Sequence, residues 1–376
     1  MRFHWGVLGR EEERARSDSP LKWARARACP GTLPYPRGLF ALSSDLNRAQ
    51  LPKPLTSDLL TTLFGLALLL AGGDVMVRGA SALAHRLGVS PLAIGLTVVA
   101  FGTSAPELAV NLTAAVRGNG AMSFGNIMGS NMANIGLIVA ATALYKPLHV
   151  QSPVIVRELP MMLLATAAAA VLGLDAWLRG SESLYDRSDG LILLLLFTVF
   201  VYYTVNDVIA QRRARAPEAA EPEISHRMSR STALGLTVAG LAALIFGAEL
   251  TVDGAVGLAR GWGVSEAIIG LTLVAIGTSL PELTTSLIAT AKGFPDLAIG
   301  NVVGSNIFNL LLVLGASATL RPVPVPEGGA LDLAIVGFLS LVLLITSYTR
   351  GQRIIRTEAV LLGVFYLGYM AYRIHS

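Results

Sequence analysis

The chain has 376 residues, of which 53% are hydrophobic and only 14% are charged, and its mean hydropathy is +0.60. Soluble domains carry about a quarter charged residues, so this composition excludes an ordinary cytosolic enzyme, a coiled coil and a disordered protein. The formal net charge is +4, and the single cysteine, Cys29, excludes an intrachain disulfide framework and a thiolate zinc cluster. The sequence therefore predicts an all-α polytopic membrane protein.

Residues 1–52 precede the first apolar segment and form a basic extension. Ten of the 29 Lys and Arg residues fall before residue 54. No apolar run of signal-peptide length occurs in this extension, and Glu11, Glu12 and Glu13 argue against a transit peptide. We expect the extension to be disordered and assign it no function.

Apolar segments follow in chain order from residue 53 to the end. A bilayer core of about 30 Å requires about 20 apolar residues per helix. By that measure the sequence predicts ten spans, five on each side of a polar linker at 211–230. The predicted spans cover residues 57–77, 91–117, 121–145, 153–178, 190–210, 231–258, 266–292, 297–320, 330–349 and 355–374.

The linker at 211–230 sets the expected orientation in the membrane. Positively charged loops next to spans stay in the cytoplasm, and this linker contains Arg212, Arg213, Arg215, Arg227 and Arg230. We therefore expect a cytoplasmic linker and an external start of the first span, although the basic extension conflicts with that orientation. The chain contains no phosphate-binding G-x-x-x-x-G-K-[ST] loop, so we do not expect it to bind ATP.

An internal repeat relates the two sets of five spans. Residues 95–135 and 270–310 align without gaps at an offset of 175 residues, with 20 of 41 positions identical. Because each set has an odd number of spans, the two sets would insert with opposite orientation. Inverted repeats are typical of secondary transporters, which bind ions between the repeats near the bilayer midplane. The predicted fold is thus two inverted five-helix repeats, at 53–210 and 231–376.

The first repeated motif, GTS-x-PE, places one glutamate within a span of each repeat, at Glu107 and Glu282. Pro106 and Pro281 lack an N–H group and are expected to break their helices, which is tolerated in a membrane where the freed backbone lines a cavity. A carboxylate at the bilayer centre costs about 3 kcal/mol, and neither motif contains Lys or Arg. Either a proton or a mobile cation therefore balances the charge, and a set of oxygen ligands suits calcium.

The second repeated motif, GN-x-x-GSN-x-x-N, supplies neutral polar groups. Ser130 and Asn134 are four residues apart and share a helix face, as do Ser305 and Asn309 in the second repeat. Interhelical hydrogen bonding and cation ligation explain these pairs equally well. Glycines four residues apart in the same motif favour close helix packing, at Gly125, Gly129, Gly300 and Gly304.

The paired motifs resemble the two alpha-repeats of the calcium/cation antiporter superfamily, especially its sodium/calcium exchanger branch. The resemblance covers residues 57–376 and implies ten helices with cation sites in spans two, three, seven and eight. It implies that Glu107 and Glu282 are the main calcium ligands. The further ligands that it implies are backbone oxygens of Thr103 and Thr278 for calcium and, for sodium, the hydroxyls of Ser104, Ser130, Ser279 and Ser305 and the backbone carbonyls of Ala100 and Ala275.

We therefore expect a secondary active antiporter, not an enzyme, that exchanges calcium for sodium by alternating access in a bacterial-type inner (plasma) membrane. Its partners would be the two transported ions and the lipid bilayer, without a cofactor, ATP or nucleic acid. A proton-coupled antiporter for calcium or another divalent cation is the nearest alternative, because the two glutamates could carry protons instead. A cation channel is the alternative from a different class, and ion flux that needs no counter-ion would distinguish it.

Three positions qualify this expectation. Potassium-coupled relatives carry an acidic residue where this chain has Asn309, so the resemblance implies exchange without potassium. Asp74 precedes Arg78 by four residues, which predicts an ion pair on a helix surface, whereas Glu249, its repeat equivalent, has Asp253 at that spacing. We do not expect Asp74 or Glu249 to act in transport.

Overall fold

A computed structural model describes residues 55–175, 180, 182–214, 228–263 and 275–375. The basic extension at 1–52, Arg215 and Arg227 of the linker, and positions 266–274 of one predicted span lie outside these ranges. The helices in the described ranges are α1 (Leu55–Leu87), α2 (Pro91–Thr103), α3 (Ala105–Arg117), α4 (Gly120–Tyr145), α5 (Val154–Gly173), α6 (Arg187–Ala214), α7 (Arg230–Gly261), α8 (Ala275–Thr278), α9 (Leu280–Ala291), α10 (Pro295–Leu320), α11 (Gly329–Tyr348) and α12 (Arg356–His375). The short strands are β1 (Leu148–His149), β2 (Leu184–Tyr185), β3 (Val323–Pro324) and β4 (Arg353–Ile354).

The described helices reproduce most of the predicted spans. Seven of them are long and apolar enough to cross a membrane, and the bent pair α2–α3 forms an eighth candidate span. The helix α12 has 20 residues but is less apolar than those seven. The helical, multi-pass class is therefore confirmed, while the total of ten spans stays a prediction.

The helix α1 is longer than predicted, because it ends at Leu87 and the predicted span ended at residue 77. Asp74 interrupts the apolar run, but its carboxylate pairs with Arg78 at 2.8 Å and with Lys292 just beyond α9. These partners balance its charge, and the predicted Asp74–Arg78 pair is confirmed. Glu249 lies exposed on α7, where the nearby charge of Asp253 opposes its own.

The two long helices α1 and α7 pack along each other with opposite directions, since Gly65 faces Thr251 and Gly79 faces Thr237. A Cβ atom added at Gly72 would lie 2.7 Å from the backbone nitrogen of Leu244, a distance that real Cβ atoms essentially never show. Glycine therefore permits the close backbone approach. The glycines of this interface recur every seven residues on each helix, at Gly65, Gly72, Gly79, Gly240, Gly247 and Gly254.

The helices α4 and α10 lie in the centre of the molecule, with 78% and 94% of their apolar windows buried. The corresponding share is only 17% for α6 and 33% for α1 and for α7. Large apolar side chains cover the outward faces of these peripheral helices, as at Leu60, Phe64 and Leu195. This arrangement suits a lipid-facing periphery, and it places the second repeated motif, on α4 and α10, inside the bundle.

Two short antiparallel strand pairs connect the first half of the chain with the second. Leu148 of β1 pairs with Ile354 of β4, and Leu184 of β2 pairs with Pro324 of β3. The strands β1 and β3 begin 175 residues apart, at Leu148 and Val323, which is the offset of the sequence repeat. Each half therefore contributes one strand to each pair.

Candidate functional site

Both GTS-x-PE motifs contain a helix break at their serine. Ser104 separates α2 from α3 with φ −85° and ψ 3°, and Ser279 separates α8 from α9 with φ −92° and ψ 4°. The proline that follows by two residues lies in the first turn of the next helix, where its missing N–H group costs nothing. The axes of α2 and α3 differ by 43°. The predicted interruption of both spans is therefore present.

The two breaks differ in how the preceding helix ends. The N–H group of Ser104 donates to the carbonyl of Ala100 at 3.0 Å, whereas the N–H group of Ser279 donates to the carbonyl of Ile276 at 3.0 Å. Ala100 and Ala275, whose carbonyls are predicted sodium ligands, thus lie one turn before each break. The Ala100 carbonyl keeps a second acceptor position, to which the Thr103 hydroxyl lies at 3.4 Å.

The glutamates of the two motifs lie in the protein interior near each other. Glu107 and Glu282 are each only 1% exposed, and their carboxyl groups are close enough to repel each other when both are charged. Ser104 donates to Oε1 of Glu282 at 3.4 Å, which joins the two copies of the GTS-x-PE motif. Among the described residues, Oε2 of each glutamate has no hydrogen-bond partner. Buried carboxylates in this arrangement require a cation or a proton.

Neutral oxygen atoms surround these carboxylates. The hydroxyls of Thr103, Ser104 and Ser305 lie around the Glu282 carboxylate. Five predicted neutral ligands, at the second break and on α4 and α10, are at most 3% exposed. Within the described ranges their side-chain oxygen atoms accept no hydrogen bond and their hydroxyls donate none, at Ser130, Ser279, Ser305, Asn134 and Asn309. Thr278 is half-buried, and its hydroxyl lies 3.5 Å from Oδ1 of Asn126.

The second motif ends where two central helices change their winding. A π-helical segment covers Asn134–Val139 in α4, and another covers Phe308–Val313 in α10. The side-chain amide of Asn309 donates to Oδ1 of Asn131 at 3.3 Å, so the two copies of the second motif also meet here. Single π turns within α-helices occur frequently at functional sites. The paired motifs thus enclose one polar region between α2–α3, α8–α9, α4 and α10.

The sequence interpretation missed asparagines that connect the helices. Asn301 accepts a hydrogen bond from the Thr103 hydroxyl at 3.1 Å, and Asn126 lies opposite Thr278 in the equivalent position of the other repeat. Asn131 joins α4 to α10 in the same way. Asn126 and Asn301 are identical at the offset of 175 residues, as are Asn131 and Asn306. That identity was a usable signal, equal in strength to the one for Ser130 and Ser305.

The donor set consists of oxygen atoms. Two carboxylates, hydroxyls and amide oxygens match the ligands that calcium accepts in sets of six to eight, and sodium uses the same class of atoms. No group of three or more His, Cys, Asp or Glu residues with metal-binding geometry occurs in the part of the chain that the structure describes. The region therefore fits a site with only two formal charges, in which neutral oxygens supply the other ligands.

Comparisons with known proteins agree with this chemistry. Residues 57–206 and 232–375 match the family described as sodium/calcium exchanger protein, with one match in each half of the chain. A protein of Alkalimonas amylolytica named Putative antiporter CaxA is 40% identical over 314 residues, which cover 82% of this chain and 95% of that protein. Inner membrane protein YrbG of Escherichia coli is 35% identical over 314 residues, which cover 82% and 94%.

A further relative and a solved structure cover a similar part of the chain. Sodium/calcium exchanger MaX1 of Methanosarcina acetivorans is 33% identical over 344 residues, which cover 84% of this chain and 98% of that protein. The solved structure of the sodium-calcium exchanger NCX_Mj, soaked with Na⁺ and Sr²⁺, has 31% sequence identity and a TM-score of 0.73. The match covers 85% of this chain and 99% of that one.

Proposed function

The chain belongs to the sodium/calcium exchanger protein family, which makes it an integral multi-pass membrane antiporter of cations, and we propose that it exchanges calcium for sodium by alternating access. The observation that carries this proposal is the pair of buried glutamates, Glu107 and Glu282, each with a carboxyl oxygen that has no partner among the described residues. In this proposal the glutamates are the main calcium ligands. The remaining ligands are the ten neutral residues predicted above, at Ala100, Thr103, Ser104, Ser130, Asn134, Ala275, Thr278, Ser279, Ser305 and Asn309.

Alternating access requires two halves that can exchange roles on opposite sides of the membrane. The antiparallel packing of α1 against α7 supports an inverted repeat, because these helices occupy equivalent positions in the two halves. The strand pairs β1–β4 and β2–β3 are related in the same way. We therefore propose ten spans in two inverted repeats, at 53–210 and 231–376, joined by a cytoplasmic linker.

The charge of the site supplies a reason for obligatory exchange. Two carboxylates in a closed, water-free site are unstable without compensating positive charge. One calcium ion or two monovalent ions balance the two charges. The carrier is therefore expected to pass through its closed state only when loaded, which couples the movement of one ion to the return of another.

Proton coupling is the second candidate function, and the Oε2 atoms of the two glutamates, which have no hydrogen-bond partner among the described residues, favour considering it. Protons on Glu107 and Glu282 would balance the same two charges. Several buried neutral oxygens, including those of Ser130 and Ser305, have no hydrogen-bond partner in the described ranges. They favour a bare metal ion instead, because a protonated carboxyl group does not require them. The similarity to Escherichia coli YrbG supports a location in an inner membrane.

Calcium uptake into proteoliposomes tests the proposal. With wild-type protein, we expect uptake when the vesicles contain sodium and only background uptake when an acid interior without sodium supplies the gradient. Uptake driven by protons alone would assign the protein to the proton-coupled class. Calcium flux without any counter-ion would indicate a channel, and folded protein that moves no calcium under either gradient would reject calcium as the substrate.

Potassium is expected to have no effect on this exchange. The amide of Asn309 donates to Asn131 and carries no charge, so this position adds no third carboxylate that a further cation would balance. Replacing potassium by choline on both sides of the vesicle membrane should leave the rate of sodium-driven calcium uptake within about twofold of the rate with potassium. The loss of an interaction as strong as one hydrogen bond would change the rate by more than that. A rate that falls to background without potassium would contradict this expectation.

A further inference from the structure

Asn301 lies on α10 between the two broken spans, and its side-chain amide reaches both. Its Oδ1 atom accepts the hydrogen bond from the Thr103 hydroxyl at 3.1 Å. Its Nδ2 atom lies 3.3 Å from the hydroxyl of Ser286 and 3.5 Å from the main-chain oxygen of Glu282. Asn301 is completely buried. One amide group therefore connects the last residue of α2 with the first turn of α9.

The hydroxyl of Thr103 lies near two acceptors besides the Glu282 carboxylate. The carbonyl of Ala100, in the same helix, lies at 3.4 Å, and Oδ1 of Asn301, in the other half of the chain, lies at 3.1 Å. A hydroxyl group carries one proton, so the shorter contact goes to Asn301. A threonine within a helix commonly bonds back to its own helix, and here the stronger contact leaves the helix and crosses to the other repeat.

Glycines on each side of Asn301 bring its helix close enough for this contact. A Cβ atom on Gly300 would lie 2.8 Å from the carbonyl oxygen of Leu92, and one on Gly304 would lie 2.9 Å from that of Leu96. Both acceptors belong to α2. The backbone of α10 thus lies directly against α2, and the short asparagine side chain spans the remaining gap to Thr103.

We propose that Asn301 is a positioning residue for calcium binding, which acts by holding Thr103 at a fixed separation from Glu282 and not as an ion ligand. The inference rests on the proposed function, in which Thr103 and Glu282 bind calcium. A ligand set that is already fixed loses less freedom when the ion binds, so it binds more tightly. Without the amide, Thr103 and Glu282 move independently, and calcium affinity falls more than the maximal rate.

The test uses Asn301→Leu and Thr103→Val, which remove either side of the hydrogen bond and keep the approximate shape. We expect each variant to raise the KM for calcium about tenfold in sodium-loaded proteoliposomes, the effect of losing a buried hydrogen-bond partner. The double variant should add no more than about twofold, because both changes remove the same contact. Thr103→Ser restores the hydroxyl and should recover most of the affinity.

The matched control is Thr142→Val, which removes a buried hydroxyl that bonds to Ile138 of its own helix at 2.6 Å, and it should leave the calcium KM unchanged. If Asn301→Leu does not accumulate, Thr103→Val and Thr103→Ser carry the test. If wild-type protein exchanges calcium but the KM of the single variants stays within about twofold of wild type, the role of Asn301 is overturned and the proposed function is retained. Multiplying effects in the double variant, or a lowered Tm with an unchanged KM, would also overturn the role of Asn301. Wild-type protein without calcium exchange would reject the proposed function together with this inference.

Discussion

Glu282→Gln is expected to lower sodium-driven calcium uptake by about thirtyfold or more at subsaturating calcium, and Glu107→Gln should do the same. Removing one partner of a buried charge pair costs about 2–5 kcal/mol, and 1.4 kcal/mol corresponds to a factor of ten. Glutamine keeps the size and the carbonyl oxygen, so Ser104 retains an acceptor at this position. The loss therefore measures the charge of the carboxylate. Initial rates of uptake in proteoliposomes, normalised to inserted protein, provide the measurement.

The control for this prediction is Glu249→Gln, the same substitution at an exposed glutamate on α7. It should leave the uptake rate within about twofold of wild type, because Glu249 is exposed and no hydrogen bond or ion pair among the described residues joins it to either motif. Full activity in both Glu107→Gln and Glu282→Gln would remove the buried carboxylates from the proposed mechanism. A loss of similar size in Glu249→Gln would show that the assay responds to glutamate substitution in general.

Gly72→Val is expected to prevent α1 from packing against α7 and to abolish the accumulation of folded protein. The new Cβ atom would lie 2.7 Å from the backbone nitrogen of Leu244 and 2.9 Å from the backbone carbonyl carbon of Ala243, and valine adds two methyl groups to this Cβ atom. Backbone atoms cannot rotate away as a flexible side chain can, so the helices must separate. Overpacking a core costs about 1–3 kcal/mol when side chains can adjust, and the cost here exceeds that range. Size-exclusion chromatography in mild detergent, with thermal unfolding of the monodisperse fraction, measures the effect.

Gly235→Val on α7 is the matched control, because a Cβ atom there meets nothing within 4 Å in the described structure. It changes helix propensity by the same amount as the test variant does, and it introduces no contact with α1. We expect Gly235→Val protein to accumulate as wild type. Equal yields and equal unfolding temperatures for the two variants would contradict the role assigned to the glycine interface.

The sequence predicted the helical class and the two polar motifs because these features are local. Apolar segments of span length and the repeat at 175 residues are readable without any knowledge of packing. Proline at positions 106 and 281 also predicted both helix breaks, since a proline constrains its own turn of helix. The burial of Glu107 and Glu282 follows from their position within apolar segments of span length. Their action as calcium ligands stays a prediction.

Features that depend on a distant partner could not be predicted in this way. The ion pair between Asp74 and Lys292 joins residues that are more than 200 positions apart in sequence. The contact of Asn301 with Thr103 requires the close approach of α10 to α2. The sequence contained the asparagine and the glycines, but their joint effect depends on a distance between helices. Hydropathy describes the partition of a segment into lipid and contains no term for such a distance.

The strand pairs between the halves have a consequence for biogenesis. Translation delivers Leu148 long before Ile354, its partner in β1–β4, so the first strand waits for nearly the whole remaining chain to be synthesised. The first half of the chain therefore remains without the partners of both its strands until the second half has been synthesised. A chain whose translation ends before β4 would leave β1 without its partner strand, and such an incompletely paired protein is a natural substrate for membrane quality-control proteases.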